Sequence, residues 1–362
     1  MVNGMKKIII KSICVIVLLI LINLLIFVAS NNPTSVESIY SQNIFVGIMS
    51  VFSVVSGIIP FSLTEFIIVT AVIIFLFTLY LLIRRFSVTN LINYILNIFI
   101  FISAGVFLFW GLWGINNYRV GLESSLDLNK SKYTVEELKE ACYILAEKAG
   151  EARAKLTENN RGIATNDYTY KDIFSKVPTA YENIAKKYFI IPAGGYVSPK
   201  PMLFSELMSM LNYTGMYNPL FFELNINVNE PIYNMPATVC HEVAHQKGFT
   251  KENEANFISF LTCTNSEDEF FQYSGYLLGL IHCSNALYKQ DSEAYYQLMG
   301  TYSEGVRRDL KYNNEYWSNY KGFVAKVGEA NNNAFLKSTN QPEGTKSYGL
   351  VVDLIIAYLK NV

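Results

Sequence analysis

Two hydrophobic rhythms divide this chain. Residues 8–29 are almost uniformly apolar after Lys6 and Lys7, and a bilayer core takes about 20 residues of helix. The run is longer than the roughly 7–15 apolar residues of a signal-peptide core, so it reads as an uncleaved anchor. Residues 62–83 repeat the pattern and end at Arg84-Arg85. Residues 91–114 form a third run, with Trp110 and Trp113 near its far end, where aromatic belts sit. Residues 44–59 are apolar but short, and Gly47, Ser50, Ser53 and Ser56 form a stripe of small side chains at helical spacing. That segment predicts an interfacial or protein-packed helix, not a span. Three spans put Lys6, Lys7, Lys11 and Arg84-Arg85 on one side, the cytoplasmic one by the positive-inside rule. The rest of the chain then faces the extracytoplasmic side.

From about residue 117 the rhythm becomes amphipathic. Residues 133–158 predict a helix opened by a Thr134–Glu137 capping box, and 168–188 predict another. The prolines around 199–201 read as loop and 204–211 as a short helix. Residues 219–228 alternate after Phe222, a strand signal. Asn234, Pro236 and Gly248 bracket a helix over 235–247. Residues 270–288 are apolar enough to resemble a span, but Gln272, Ser274, His282 and Asn285 predict a buried helix. The pattern predicts an α-helical transmembrane region, residues 1–116, followed by a mainly α, α+β domain, residues 117–362.

Composition agrees. Hydrophobic residues make up 51% and charged residues 16%, against about a quarter charged in soluble proteins, so the lipid bilayer is one expected partner. A net charge of -1 leaves no electrostatic footprint for nucleic acid. Five cysteines without CxxC spacing argue against a cysteine zinc site and read mostly as small buried apolar residues.

The chemistry sits in His241-Glu242-Val243-Ala244-His245. The chain has three histidines, and two of them stand four apart, on one face of the predicted helix. That HExxH spacing lets two imidazoles grip one zinc ion. Glu242 is then placed to act as general base on zinc-activated water. The expected reaction is hydrolysis of peptide bonds in a peptide or protein substrate. Lys251 occupies the position where an extended motif would carry a third histidine. His282 is a formal alternative, and Glu252, Glu254, Glu267, Asp268 and Glu269 lie downstream. On a helix capped by Thr250, Glu254 shares the apolar face of Phe257 and Ile258, whereas Glu252 points with Ala255, Asn256 and Ser259. An inward carboxylate needs a partner, so Glu254 is the expected third ligand. Tyr276, Tyr348 and Arg308 are candidate oxyanion donors. Residues 221–228 could offer an exposed strand to an extended peptide.

These motifs resemble zincin metallopeptidases of the glutamate-ligand (gluzincin) type, in which a Glu on the helix after HExxH completes the site. Some carry it in an Asn-Glu-Ala context, as at Asn253-Glu254-Ala255. Nearly the whole chain is also similar to an uncharacterised bacterial family of multi-span membrane proteins. Its marks are a Pro-Phe-Ser start to one span (Pro60-Phe61-Ser62), a HExAHQ motif, and Ser347-Tyr348-Gly349 near the C-terminus. The resemblance implies a zincin-like domain on a bacterial cytoplasmic membrane and implies no substrate. The short gap between His245 and Glu254 demands a tight turn. A non-catalytic membrane scaffold or sensor that retains a zinc site is the competing expectation.

Overall fold

The computed structural model describes residues 2–126, 128, 133–193 and 195–361. Four helices lead: α1 (Val2–Ser30), α2 (Pro33–Ile58), α3 (Leu63–Arg84) and α4 (Val88–Leu112). All four are long and apolar enough to cross a membrane. α1 and α4 pack in parallel. Lys11 donates to Asn93 at 3.0 Å near one end of the pair, and α1 meets the 3-10 turn Gly114–Tyr118, which follows α4, near the other. α3 runs the opposite way. Its first turn is tied to the C-terminal domain, because the Glu65 carboxylate accepts from the Leu203 and Phe204 amides at 2.9 and 2.8 Å. A helix rises about 1.5 Å per residue, which carries Arg84 and Arg85 far from that anchor.

α2 differs from the short 44–59 segment expected. It begins at Pro33, and its length makes it a fourth candidate span. One face nevertheless lies along the domain from end to end. Glu37 pairs with Arg119 at 2.7 Å, Ser41 donates to Asn116 at 2.7 Å, and Phe45 and Met49 are fully buried. Farther on, Ser53 accepts from the Tyr196 amide, and the Ser56 carbonyl accepts from Lys200. The buried stripe is therefore Ser41, Phe45, Met49, Ser53 and Ser56, and Gly47 faces open space. Val51, Val55 and Ile58 leave the opposite face apolar and exposed.

The domain contains helices α5 (Val135–Arg153) and α6 (Tyr170–Lys187), strand β1 (Pro199–Pro201), helix α7 (Ser205–Met210), and strands β2 (Gly215–Asn218) and β3 (Glu223–Ile226). Helices α8 (Met235–Gln246), α9 (Glu252–Thr264), α10 (Glu269–Gln290), α11 (Ser292–Thr301), α12 (Glu304–Ser318), α13 (Phe323–Ser338) and α14 (Val351–Leu359) follow. The Thr134–Glu137 capping box forms as read from the sequence. The predicted 219–228 strand shrinks to β3, because Phe222 takes a positive φ of 52° just before it. β3 is the central strand, parallel to β1 and antiparallel to β2.

α8 begins without a side-chain cap from Asn234, which donates instead to Asn313. The Ala237 amide is met by Ser274 of α10. Gly248 ends the helix at φ 88°, and a Cβ there would lie 2.8 Å from the Phe45 ring. The next helix starts at Glu252 behind Lys251, not behind a Thr250 cap. α10 is a buried helix, as expected, packed on α5. Phe45, Met49 and Trp113 belong to the same core as Val239, Phe257 and Leu277, so the membrane region and the domain share packing. The five cysteines are free, and four are buried.

Candidate metal centre and cleft

The helical period of α8 puts His241 and His245 one turn apart, with their Nε2 atoms 3.0 Å from each other. The turn at Gly248 folds α9 back against α8 and brings Glu252 Oε2 to 3.1 Å from His241 Nε2 and 3.5 Å from His245 Nε2. Tetrahedral zinc bonded at about 2.0–2.2 Å separates its ligand atoms by about 3.3 Å, and the three observed spacings bracket that value. His241 Nδ1 faces Asn256 Oδ1 at 2.8 Å, and His245 Nδ1 faces the Phe249 carbonyl at 2.7 Å. Both partners accept, which assigns the proton to Nδ1 and leaves each Nε2 lone pair for a cation. Burial alone would lower the His245 pKa, but the Glu252 carboxylate outweighs it and raises it to about 9. Burial would likewise raise Glu252, yet the two histidines hold it far below the ordinary carboxylate range. The trio favours positive charge at its centre.

Glu254 does not join this centre. Its carboxylate accepts from the Leu122 amide at 3.1 Å and from Lys251 at 3.2 Å. A helix with one buried face would turn Glu254 inward, but α9 is buried all round from Glu252 to Cys263. An apolar stripe therefore could not mark the side that faces α8. The polar stripe Glu252, Asn256 and Ser259 does so, with Ser259 donating to the Ala237 carbonyl at 2.6 Å. That stripe, repeating at helical spacing, was the available signal.

Glu242 is buried, and burial raises its pKa. β2 runs beside it, and a Cβ on Gly215 would come within 2.5 Å of its carboxylate, so glycine makes the space. The strand next to the centre is thus the sheet edge β2. The segment expected for peptide docking, 221–228, contains the buried central strand and has no free edge.

The proposed donors separate. Tyr348 stacks on His241 with ring centroids 6.5 Å apart and accepts from Asn332 at 3.2 Å. Burial raises its pKa well above the usual phenol value, so it stays a donor. Tyr276 sits away from the cleft near Lys148, and Arg308 is engaged by Glu158 and Glu304. His282 is not a ligand but lines an adjoining pocket. Trp113, which follows α4, donates to the His245 carbonyl at 2.8 Å, a contact between segments too far apart in the chain to leave a sequence signal.

Two pockets meet at the centre and share His241, Glu242, Gly215 and Tyr348. One, of about 420 Å³, is walled by Phe109, Trp113, Met216 and Phe335; the other, of about 410 Å³, contains Glu230, Thr238 and His282.

Residues 40–356 match the family model described as "Protein of unknown function (DUF3810)", and the chain belongs to that family. No curated protein and no solved structure matches it.

Proposed function

We propose that this chain is a membrane-anchored zinc metallopeptidase. The observation that carries the reading is the convergence of His241 Nε2, His245 Nε2 and Glu252 Oε2 at tetrahedral-ligand spacing, with Glu242 buried beside them. Two imidazoles and a carboxylate suit zinc. Bound there, zinc would supply a Lewis acid that acidifies water and polarises a carbonyl. Glu242 takes the proton from the attacking water and passes it to the leaving amine. The Tyr348 hydroxyl donates to the oxyanion that develops. β2, the edge strand, aligns an extended substrate main chain beside Glu242.

The intact Glu242 supports this reading over a zinc-holding scaffold, which gains nothing from a general base. Orientation is part of the same proposal. α1, α3 and α4 span, α2 lies on the domain with its apolar face in the interface, and Lys6, Lys7, Lys11 and Arg84-Arg85 lie in the cytoplasm. The domain is then extracytoplasmic. Protease or thiol-reagent access to the domain in intact cells tests that orientation, and protection from the outside would reverse it.

Elemental analysis of the full chain in detergent tests the centre. The full chain is needed because Phe45, Met49 and Trp113 complete the core. About one zinc per chain, lost in His245→Ala and Glu252→Ala but kept in Glu254→Ala, is the expected result. A folded wild type that takes up no zinc would sink the proposal.

A further inference from the structure

The pocket on the α10 side of the centre shows an imbalance of charge. Among the described residues, its wall holds two acids besides Glu242, namely Glu230 and Glu329, and no lysine or arginine. Glu329 is exposed at the rim, whereas Glu230 is only 5% exposed. Both Glu230 carboxylate oxygens are buried without a hydrogen-bond partner of good geometry. The Thr238 hydroxyl lies close, and the charge that acts on Glu230 is that of another acid, Glu242. His282 supplies no cation, since burial pushes it down to about 4. Burial pushes Glu230 itself up to about 8. A carboxylate taken out of water with no counter-charge is unfavourable until a cation or donor arrives.

The same pocket shares His241, Glu242 and Tyr348 with the metal centre, so a group filling it belongs to a residue flanking the bond under attack. The opposite pocket, walled by Phe109, Trp113 and Phe335, favours an apolar neighbour. We infer that Glu230 is a specificity residue whose pocket takes a protonated amine or guanidinium of the substrate, supplied by a lysine or arginine side chain or by a free N-terminus. The inference rests on the peptidase reading above and narrows its substrate class. Glu230 touches the substrate's cationic group and takes no part in the bond change.

The test uses zinc-loaded full-length protein in detergent and a mixed peptide library. One library position carries Lys, Arg, norleucine or Glu, and each peptide has a free or an acetylated N-terminus. Mass spectrometry reads the cleavage. Peptides with a basic group are expected to be cleaved at least roughly tenfold faster than neutral ones, because a buried polar group left unpaired rejects the analogue. Glu230→Gln should level that ratio while norleucine peptides are still cut, and Glu230→Asp, which keeps the charge, should retain it. A ratio that falls on acetylation assigns the cation to the N-terminus; one that falls only on norleucine replacement assigns it to the side chain. A wild type indifferent to basic groups, or a ratio unchanged in Glu230→Gln, overturns the inference. If the wild type cleaves nothing, the peptidase reading fails, and the same library is captured on the Glu242→Gln protein. Retention of basic peptides that disappears when Glu230→Gln is added then upholds the pocket. Retention blind to charge, or none, removes it.

Discussion

Two buried acids show how differently a fold can treat the same group. Glu223, in the central strand, is surrounded by donors: Lys200 at 2.6 Å, the Thr64 hydroxyl at 2.6 Å and the Leu63 and Thr64 amides at 2.9 and 2.8 Å. The Pro60-Phe61-Ser62 turn thus delivers the first amides of α3 to the sheet, and the membrane region is fixed to the domain by a satisfied charge. Glu252 is also buried, yet its Oε2 faces two imidazole nitrogens, at 3.1 and 3.5 Å, on rings whose Nδ1 atoms already meet acceptors. The first arrangement surrounds its charge with donors and joins two regions; the second gathers three ligand-type atoms that could hold a cation. Burial alone does not separate structure from function, whereas the presence or absence of donors does.

That contrast can be broken at either end. The largest effect is expected at the open site. Glu242→Gln should keep the zinc yet lower peptide hydrolysis by roughly 10²–10⁴-fold. Glu252→Ala should lose both zinc and hydrolysis and should also lower apo stability, because it strips His245 of the carboxylate that raises its pKa. Metal analysis with hydrolysis assays alongside checks both, and zinc retained in Glu252→Ala would remove Glu252 from the centre. At the closed site, Lys200→Met strands the Glu223 charge and should cost about 3–5 kcal/mol in chemical denaturation of the detergent-solubilised chain, with zinc still bound.

Acid should expose the same difference. Burial pulls the Glu223 pKa up, but Lys200, the Thr64 hydroxyl and the two amides outweigh it, so the folded value lies below the ordinary one. Stabilisation is then fully present above the unfolded value and is lost as pH falls through the folded value. The Tm gap between wild type and Glu223→Gln should therefore narrow below about pH 4, near the ordinary glutamate value. A gap that stays constant into acid would show that Glu223 contributes no charge-dependent stability.

Smaller effects sharpen the contrast within the cleft. Tyr348→Phe should lower kcat by up to roughly 10²-fold with little change in KM, as the loss of a transition-state donor does. Arg308→Ala should leave kcat alone and cost about 0.2–1 kcal/mol of stability, the usual worth of a solvent-accessible ion pair. A kcat loss in Arg308→Ala equal to that in Tyr348→Phe would contradict the separation of the two residues in the fold.

The local motifs were legible because they need only neighbouring residues. The Thr134–Glu137 box, the helix carrying HExxH, the turn at Gly248 and the long apolar helices all follow from spacing within a few turns. Choosing Glu254 over Glu252 failed for a reason internal to that logic. Amphipathicity reports a helix with one wet face, and α9 has none. The edge strand was misplaced for a similar cause. Alternation in 219–228 marks a strand but not its neighbours, and the partner that flanks Glu242 is the short β2, whose Gly215 carries no apolar pattern.

The sequence by itself determined the two regions, the apolar helices of the first, the mainly helical second, and a histidine pair four apart with a glutamate between. These are periodic or local properties, set by 3.6 residues per turn and by the length of an apolar run. Only the tertiary structure decided that Glu252 meets the histidines while Glu254 turns to Leu122 and Lys251, that α2 lies along the domain, and that Glu230 is buried in a pocket with no lysine or arginine among the described residues of its wall. Each depends on which surfaces meet after the chain has folded back on itself, and contacts between distant segments leave no period in the sequence to read.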